Sequence, residues 1–589
     1  MYEYGLIGNC QISAHVSNHG SIDWLCLPKP DSPPVFGKIL DPEGGHFSIA
    51  PEGEYTSRQH YIPHTNILIT EFHTREGQEF RVIDFCPRFV QFGRMFRPTT
   101  LIRIVEPIKG ESRIRVLCDP VMGWKKTRPP VGRANAHLRW SLNGDYLRVY
   151  TDMSLTHLME RTSFHLNQKL YFTMTWGSSL NEDLPRMCED FLRETEKYWS
   201  TWVKHCSIPT LFQDETIRSA LALKLHCYDD TGAILAALTT SLPEEIGGAR
   251  NWDYRFCWLR DAYFVLTALN ALGHFEELEN FLRFLLNVVA DADLEGRGLS
   301  PVYGLDHQRP DDEFILGNWS GYKGSSPVRV NNQASEHVQN DVYGEMVMSL
   351  SPVFLDARFR HLRSRDYERL LIALLKQCGS RVSQVDAGPW EIRTDWREHS
   401  FSNLACYAGL ARGVELQKRG FLKEYPGNLS AEMEAASRAL TKAVREGTLR
   451  NGPADETVDA SLLLMPIFRH ADVSLSSDTV DLIYRTLQLN GLPPGFLYRY
   501  RRKDDFGVPH SAFLVCGFWL VQALVKVGRP DEATAIFKNL LPAANSLGLY
   551  AEHYDPERRQ QSGNFPQAYS HVGLINAAFA ISPRWSDVL

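Results

Sequence analysis

The 589-residue chain has no C-x-x-C pair. Its 11 cysteines are scattered from Cys10 to Cys516, and an odd number of dispersed thiols suits a reducing compartment better than a disulfide framework. It has no long run of Lys or Arg. With a net charge of -7, that excludes a partner recognised through its phosphate backbone, so no nucleic acid is expected. The opening Met1-Tyr2-Glu3-Tyr4-Gly5 has neither the basic nor the apolar region of a secretory leader, which points to the cytoplasm. The most apolar segment, 512–527, is broken by Gln522 and Lys526 and is too short to span a bilayer, so no membrane partner is expected either. No short repeat recurs, which argues against a solenoid.

What is there describes a globular protein rich in turns: 43% hydrophobic and 23% charged residues, with 32 Pro and 41 Gly. The length exceeds what one ordinary core holds, so two domains are expected, with room for a third. From the start to about Leu180 the runs are short and two-periodic: 67–72, 80–85, 101–105, 114–117 and 170–174. Separated by Gly, Pro and Asn clusters, they read as stacked antiparallel sheets. Between Pro185 and Cys206 the apolar residues recur at helical spacing behind a proline, which reads as a linker helix.

After Pro209 about twelve helical stretches follow, near 213–229, 258–272, 274–291, 337–356, 366–378, 400–418, 429–446, 459–469, 477–490, 511–527, 530–546 and 567–580. Ser477 reads as an N-cap, Pro530 as a first turn, and Gly273, Gly420, Gly491 and Gly528 as stops. Twelve helices with unequal loops suggest six hairpins closed into a ring. The expected fold is an N-terminal antiparallel β-sandwich (1–184), a linker helix (185–208) and a C-terminal (α/α)6 barrel (209–589).

In such a barrel the loops at one end of the inner helices converge, and the informative segments adjoin loops. The densest is 250–261, Arg-Asn-Trp-Asp-Tyr-Arg-Phe-Cys-Trp-Leu-Arg-Asp. Aromatic faces offer a surface to the C–H side of a sugar, and fixed Asp and Arg groups answer its hydroxyls. The alternative is a buried Arg-Asp network that only ties a loop to a helix. Two acids stand out by context: Glu391 in Gly388-Pro389-Trp390-Glu391, and Glu552 in Tyr550-Ala551-Glu552-His553-Tyr554. An acid held against apolar rings is suited to donate a proton near neutral pH, and a second acid in a polar setting can stay ionised. That pairing is the logic of glycoside hydrolysis. Against it stands a structural reading in which Glu391 pairs with Arg393 or Arg397 and Glu552 meets a helix end.

Three weaker signals are set aside. His60 and His64 flank a proline and read as surface loop, not a metal site. The 321–326 segment lacks the spacing of a phosphate-binding loop. The acidic 291–295 segment reads as a solvated helix end, so no metal is expected.

Together, 250–262, the Gly388-Pro389-Trp390-Glu391 turn and Ala551-Glu552-His553-Tyr554 resemble glycoside hydrolase family 15, the glucoamylase, glucodextranase and trehalase group. The opening Ile7-Gly8-Asn9-Cys10-Gln11, 20–28 and Asp31-Ser32-Pro33 resembles the trehalase-like N-terminal domain of its prokaryotic members. The resemblance spans essentially the whole chain and implies the same fold. It makes Glu391 the general acid and Glu552 the base that activates water. In an inverting enzyme such carboxyls stand roughly 6.5–9.5 Å apart. It further implies that Tyr254, Trp258, Arg260 and Asp261 line the subsite of the terminal glucose, that Trp390 is a stacking wall, and that Arg499 lies near the scissile linkage. No cofactor is implied, and the partner is a small carbohydrate. The chain departs from the family pattern at His510-Ser511 and at Ser402-Asn403, which bears on the leaving-group subsite, where His510 and Arg499 are expected. Trehalose is the expected substrate, with maltose-type glucosides and a catalytically silent sugar sensor as alternatives.

Overall fold

The computed structural model describes residues 2–142, 144–180 and 183–588. Two antiparallel sheets face one another in the N-terminal part. One has seven strands: Tyr4–Gly8, Ser13–Ser17, Ser21–Cys26, His46–Pro51, Ser112–Asp119 and Phe164–Leu166 in that order, with Pro34–Phe36 on Ser21–Cys26. The other has eight, running Val131–Arg133, His137–Leu142, Asp145–Thr151, Leu170–Trp176, Thr100–Lys109, Glu79–Phe85, Leu68–Thr74 and Tyr55–Tyr61. Burial alternates along His46–Pro51 and Ser112–Asp119, which puts one face of each strand in the core.

A fully buried ion pair bolts the sheets together. Arg103 on Thr100–Lys109 meets Asp84 at 2.7 Å and donates across the sandwich to the carbonyls of Phe47 (2.6 Å) and Gly20 (2.8 Å). Four of the five two-periodic runs fall within a strand, and the fifth, 67–72, begins one residue before Leu68–Thr74. The strands before His46 carry no such alternation because both of their faces are covered, Ser13–Ser17 and Ser21–Cys26 being buried at every position. His60 belongs to the strand Tyr55–Tyr61, not to a loop.

The helix Leu184–Lys204 begins with Pro185 in its first turn and the Asp183 carboxylate as cap. It leaves the sandwich through a Thr173–Cys188 contact of 3.3 Å and reaches the helical part through Trp202, whose indole donates to Glu277 at 2.9 Å.

Beyond it, Leu259–Leu272, Asp341–Leu350, Ser400–Lys418, the short pair Ala460–Leu463 and Leu464–Ile467, Leu514–Lys526 and Ala568–Ile581 pack each on the next, and the last closes on the first. Outside this ring run Gln213–His226, Phe275–Asp291, Arg365–Arg381, Leu429–Lys442, Val473–Leu487 and Pro530–Leu540. The inner helices are apolar nearly all round; Asp341–Leu350 is buried at every position. The outer ones bury one face, except Gln213–His226, whose last eight residues are all buried. This is the (α/α)6 barrel, its inner and outer rings among the described residues matching the twelve helical stretches expected.

Boundaries moved where capping chemistry was misread. Ser477 is not an N-cap: the helix Val473–Leu487 starts a turn earlier, where the Asp472 carboxylate accepts from the Leu475 amide at 2.9 Å. Gly491 accordingly lies beyond the helix end and not at it. The expected helix at 459–469 is a 3-10 turn capped by Asp459 followed by one α turn.

Candidate active site

Residues 250–258 run extended against 236–244, with Ala236, Ala237, Ser241 and Glu244 donating to the carbonyls of Phe256, Tyr254, Trp252 and Arg250. Successive side chains of an extended segment point to opposite sides. Arg250, Trp252, Tyr254 and Trp258 face open space inside the barrel mouth, as does Arg260 where the helix begins. Asp253 and Arg255 face the sandwich: Arg255 binds Asp253 at 2.7 Å and donates to the Ser32 carbonyl at 2.7 Å. The stretch thus lines open space on one side and holds a buried ion pair on the other.

Two adjoining chambers open at the N-terminal ends of the inner helices. The inner one, with about 590 Å³ of empty space, is lined by Tyr254, Trp258, Arg260, Asp261, Trp390, Glu391, Phe401, Arg499, Phe513, Trp519, Glu552, Gln567 and Tyr569. The outer one, about 480 Å³, shares Tyr254, Trp390, Glu391 and Arg499 with it and adds Glu244, Arg250, Trp252, His337, Arg393, Asp504 and Phe506. The mixture, apolar walls with a few convergent polar groups, is that of a small-molecule site.

Glu391 stands where the chambers meet, on a backbone held at φ +60°. Its Oε1 accepts from the Trp258 indole at 2.6 Å and lies 3.3 Å from Arg260 Nη2. Neither Arg393 nor Arg397 takes it: Arg393 binds Glu313 at 2.9 Å, and Arg397 reaches Asp395 and Asp455. Glu552 is buried, and its Oε2 has no hydrogen-bond partner. Room for it exists because Gly563, at φ +80°, has no Cβ; one there would lie 3.0 Å from that oxygen. His553 Nε2 is 3.6 Å from the same oxygen.

The charges around the chamber are mutually adjusted. Burial, reinforced by Glu391 and Glu552 and opposed by Arg260, pushes the Asp261 carboxyl up to about 7. Burial and the same two glutamates hold the Tyr254 hydroxyl well above its ordinary range. Glu244 is the opposite case: burial would raise it, but Arg499, His553 and Arg250 bring it down to about 2. Arg499 clasps Glu244 with both nitrogens, at 3.2 and 3.1 Å. Trp390 lies against Phe513 at 5.5 Å between ring centres, with its indole donated to Asp459 at 2.9 Å.

The structure therefore brings Tyr254, Trp258, Arg260, Asp261, Trp390, Glu391, Arg499 and Glu552 into one place. It does not bring His510. That residue is exposed and outside both linings, because the inward position belongs to its neighbour: Ser511 is buried and bonded to His553 Nδ1 at 3.0 Å. Glu244, Phe513, Gln567 and Tyr569 were not singled out from the sequence. The last three share one signal, position, since they sit at the starts of inner helices. Among the described residues no cluster of three or more His, Cys, Asp or Glu side chains is arranged to hold a metal ion.

A barrel of this kind with two glutamates and aromatic walls around one chamber defines a glycoside hydrolase. Residues 212–579 match the model of glycosyl hydrolases family 15, and residues 2–154 match the trehalase-like N-terminal model. The chain belongs to glycosyl hydrolase family 15. It is 32% identical over 613 residues to a trehalase of Mycolicibacterium smegmatis, covering 98% of this chain and 90% of the relative. It is 30% identical over 583 residues to a trehalase of Thermoplasma acidophilum, covering 96% and 97%. A bacterial glucoamylase solved with acarbose shares the fold at a TM-score of 0.70 and 14% identity, covering 98% of this chain and 94% of that one.

Proposed function

We propose that the protein hydrolyses α,α-trehalose to two glucose molecules with inversion at one anomeric carbon. The observation that carries this reading is the shared inner chamber of Glu391 and Glu552, one bound by donors and the other with an unpartnered oxygen. Glu391 protonates the linking oxygen at the junction of the chambers. Glu552 takes a proton from the water that attacks from the far side, its free oxygen being the acceptor. Arg260 and Asp261 grip hydroxyls of the sugar held in the inner chamber, with Tyr254, Trp258 and Trp390 around it. Arg499 lies between the two rings and the outer chamber takes the leaving glucose. The trehalases among the relatives, at near full-length coverage, support the choice of substrate.

A cytoplasmic location accords with the free thiols of all eleven cysteines, ten of them buried. No described helix is long and apolar enough to cross a membrane. The division at 1–184, 185–208 and 209–589 remains our proposed domain organisation.

Two measurements test the reading. Among trehalose, maltose, isomaltose and soluble starch, trehalose is expected to give the highest kcat/KM; brisk hydrolysis of maltose with trehalose untouched would overturn the substrate. Proton NMR of the first turnovers on trehalose should show α- and β-glucose in equal amounts, the β form from the inverted carbon. α-Glucose alone would contradict inversion.

A further inference from the structure

We infer that Asp386 is a positioning residue for the general acid: its buried carboxylate fixes the turn that carries Glu391 onto the starts of two barrel helices. This inference rests on the reading of Glu391 as the acid.

Asp386 is fully buried and lines neither chamber, so it acts through the backbone and not on substrate. Three donors from three segments converge on it. Its Oδ1 accepts from the Gly388 amide at 3.1 Å, inside the turn itself. Its Oδ2 accepts from the Asn340 amide at 2.7 Å, just before Asp341–Leu350, and from the Ser402 hydroxyl at 2.7 Å, in the first turn of Ser400–Lys418. Burial and nearby Asp341 push this carboxyl up to about 7, and the same three donors pull it down.

The carbonyls of the turn are held separately: Gln339 donates to Gly388 O at 3.1 Å and Arg260 donates to Pro389 O. Glu391 closes the turn through its own amide on Gly388 O at 3.2 Å. The acid's Cα is therefore placed by a short loop with both sides pinned, and Asp386 is the pin on the amide side. An asparagine there has one acceptor oxygen for three donors and turns an NH2 towards an N–H that cannot accept. The turn must then shift, and a displacement near 1 Å at a reacting group costs about 10²-fold.

The test uses two substrates that differ in their need for an acid. Trehalose requires protonation of the linking oxygen. α-Glucosyl fluoride does not: the C–F bond breaks with departure of fluoride, and water supplies the new C–O bond. Asp386→Asn is expected to lower kcat on trehalose about 10²-fold with KM changed less than about threefold, while hydrolysis of the fluoride stays within about threefold of wild type. Ser402→Ala, which removes one donor and keeps the carboxylate, should show the same selectivity at about one tenth of the effect, and covers the case in which Asp386→Asn does not fold. Glu391→Gln runs alongside. If it loses trehalose hydrolysis selectively while the Asp386 and Ser402 variants lose both substrates in proportion, or neither, Asp386 has no positioning role. If Glu391→Gln itself keeps trehalose hydrolysis, the acid has been misassigned and the inference falls with it.

Discussion

Arg260 serves three partners at once: the Pro389 carbonyl, Glu391 Oε1 at 3.3 Å and Asp261 Oδ1 at 3.7 Å. A planar fork can meet groups lying in different directions; an ammonium on a flexible stem cannot. Arg260→Lys is accordingly expected to lower kcat/KM on trehalose about 10²-fold, equivalent to about 2.7 kcal/mol, and nearly as far as Arg260→Ala. Steady-state kinetics of the two variants decide it, and full activity in the lysine variant would leave Arg260 as a loop anchor only. At this scale much of the site was legible, because 250–261 concentrates rings and charges that neither water nor an apolar core would both accept. The stretch carries both a chamber lining and the Asp253–Arg255 ion pair, since extended backbone sends alternate residues to opposite sides. His510 was expected at the leaving-group subsite because the chain departs from the family pattern there; in the structure His510 and Ser511 differ in facing, and the following Ala512 and Phe513 pair with Tyr554 and His553.

At the scale of elements, the barrel depends on close approach between inner helices. Gly344 in Asp341–Leu350 lies so near Ser400–Lys418 that a Cβ would sit 2.0 Å from the Ala405 carbonyl oxygen. In an isolated helix Gly344→Ala would gain about 1 kcal/mol. Here overpacking outweighs that by about 3 kcal/mol to 1, so a net loss of about 2 kcal/mol is expected in urea denaturation. A variant at or above wild-type stability would show that the two helices can separate without cost. Since the chamber is built from the starts of these helices, the same variant should also slow turnover. The helices themselves were legible from periodicity, but their ends were not. Asp472 and Ser477 are both good caps, and the helix uses the former; at Ala460–Leu463 the chain forms a 3-10 turn whose cap, Asp459, also accepts from Trp390.

Across the whole molecule, sandwich, linker helix and barrel meet at a buried set of charges. Lys224 Nζ binds Glu277 at 3.0 Å and Asp229 at 3.2 Å, Arg88 binds Asp229 at 2.7 Å, and the Trp202 indole donates to Glu277. Lys224 and Glu277 belong to two outer helices, Arg88 follows a strand of the sandwich, and Trp202 comes from the linker. No local pattern reveals that four such distant positions share one place. Burial alone would raise the Glu277 carboxyl, but Lys224, His274 and Trp202 bring it from 4.5 down to about 2. A depressed folded value means that its contribution is fully present above pH 4.5, the unfolded value, and is lost as pH falls towards 2. A shift of this size corresponds to about 3 kcal/mol. Urea unfolding of wild type and Glu277→Gln at steps between about pH 5 and 2 reads this directly, because other carboxylates contribute alike to both. The stability difference between the two proteins should shrink with acid by about 3 kcal/mol across that window. Parallel curves would show that Glu277 carries no charge-dependent share of the junction.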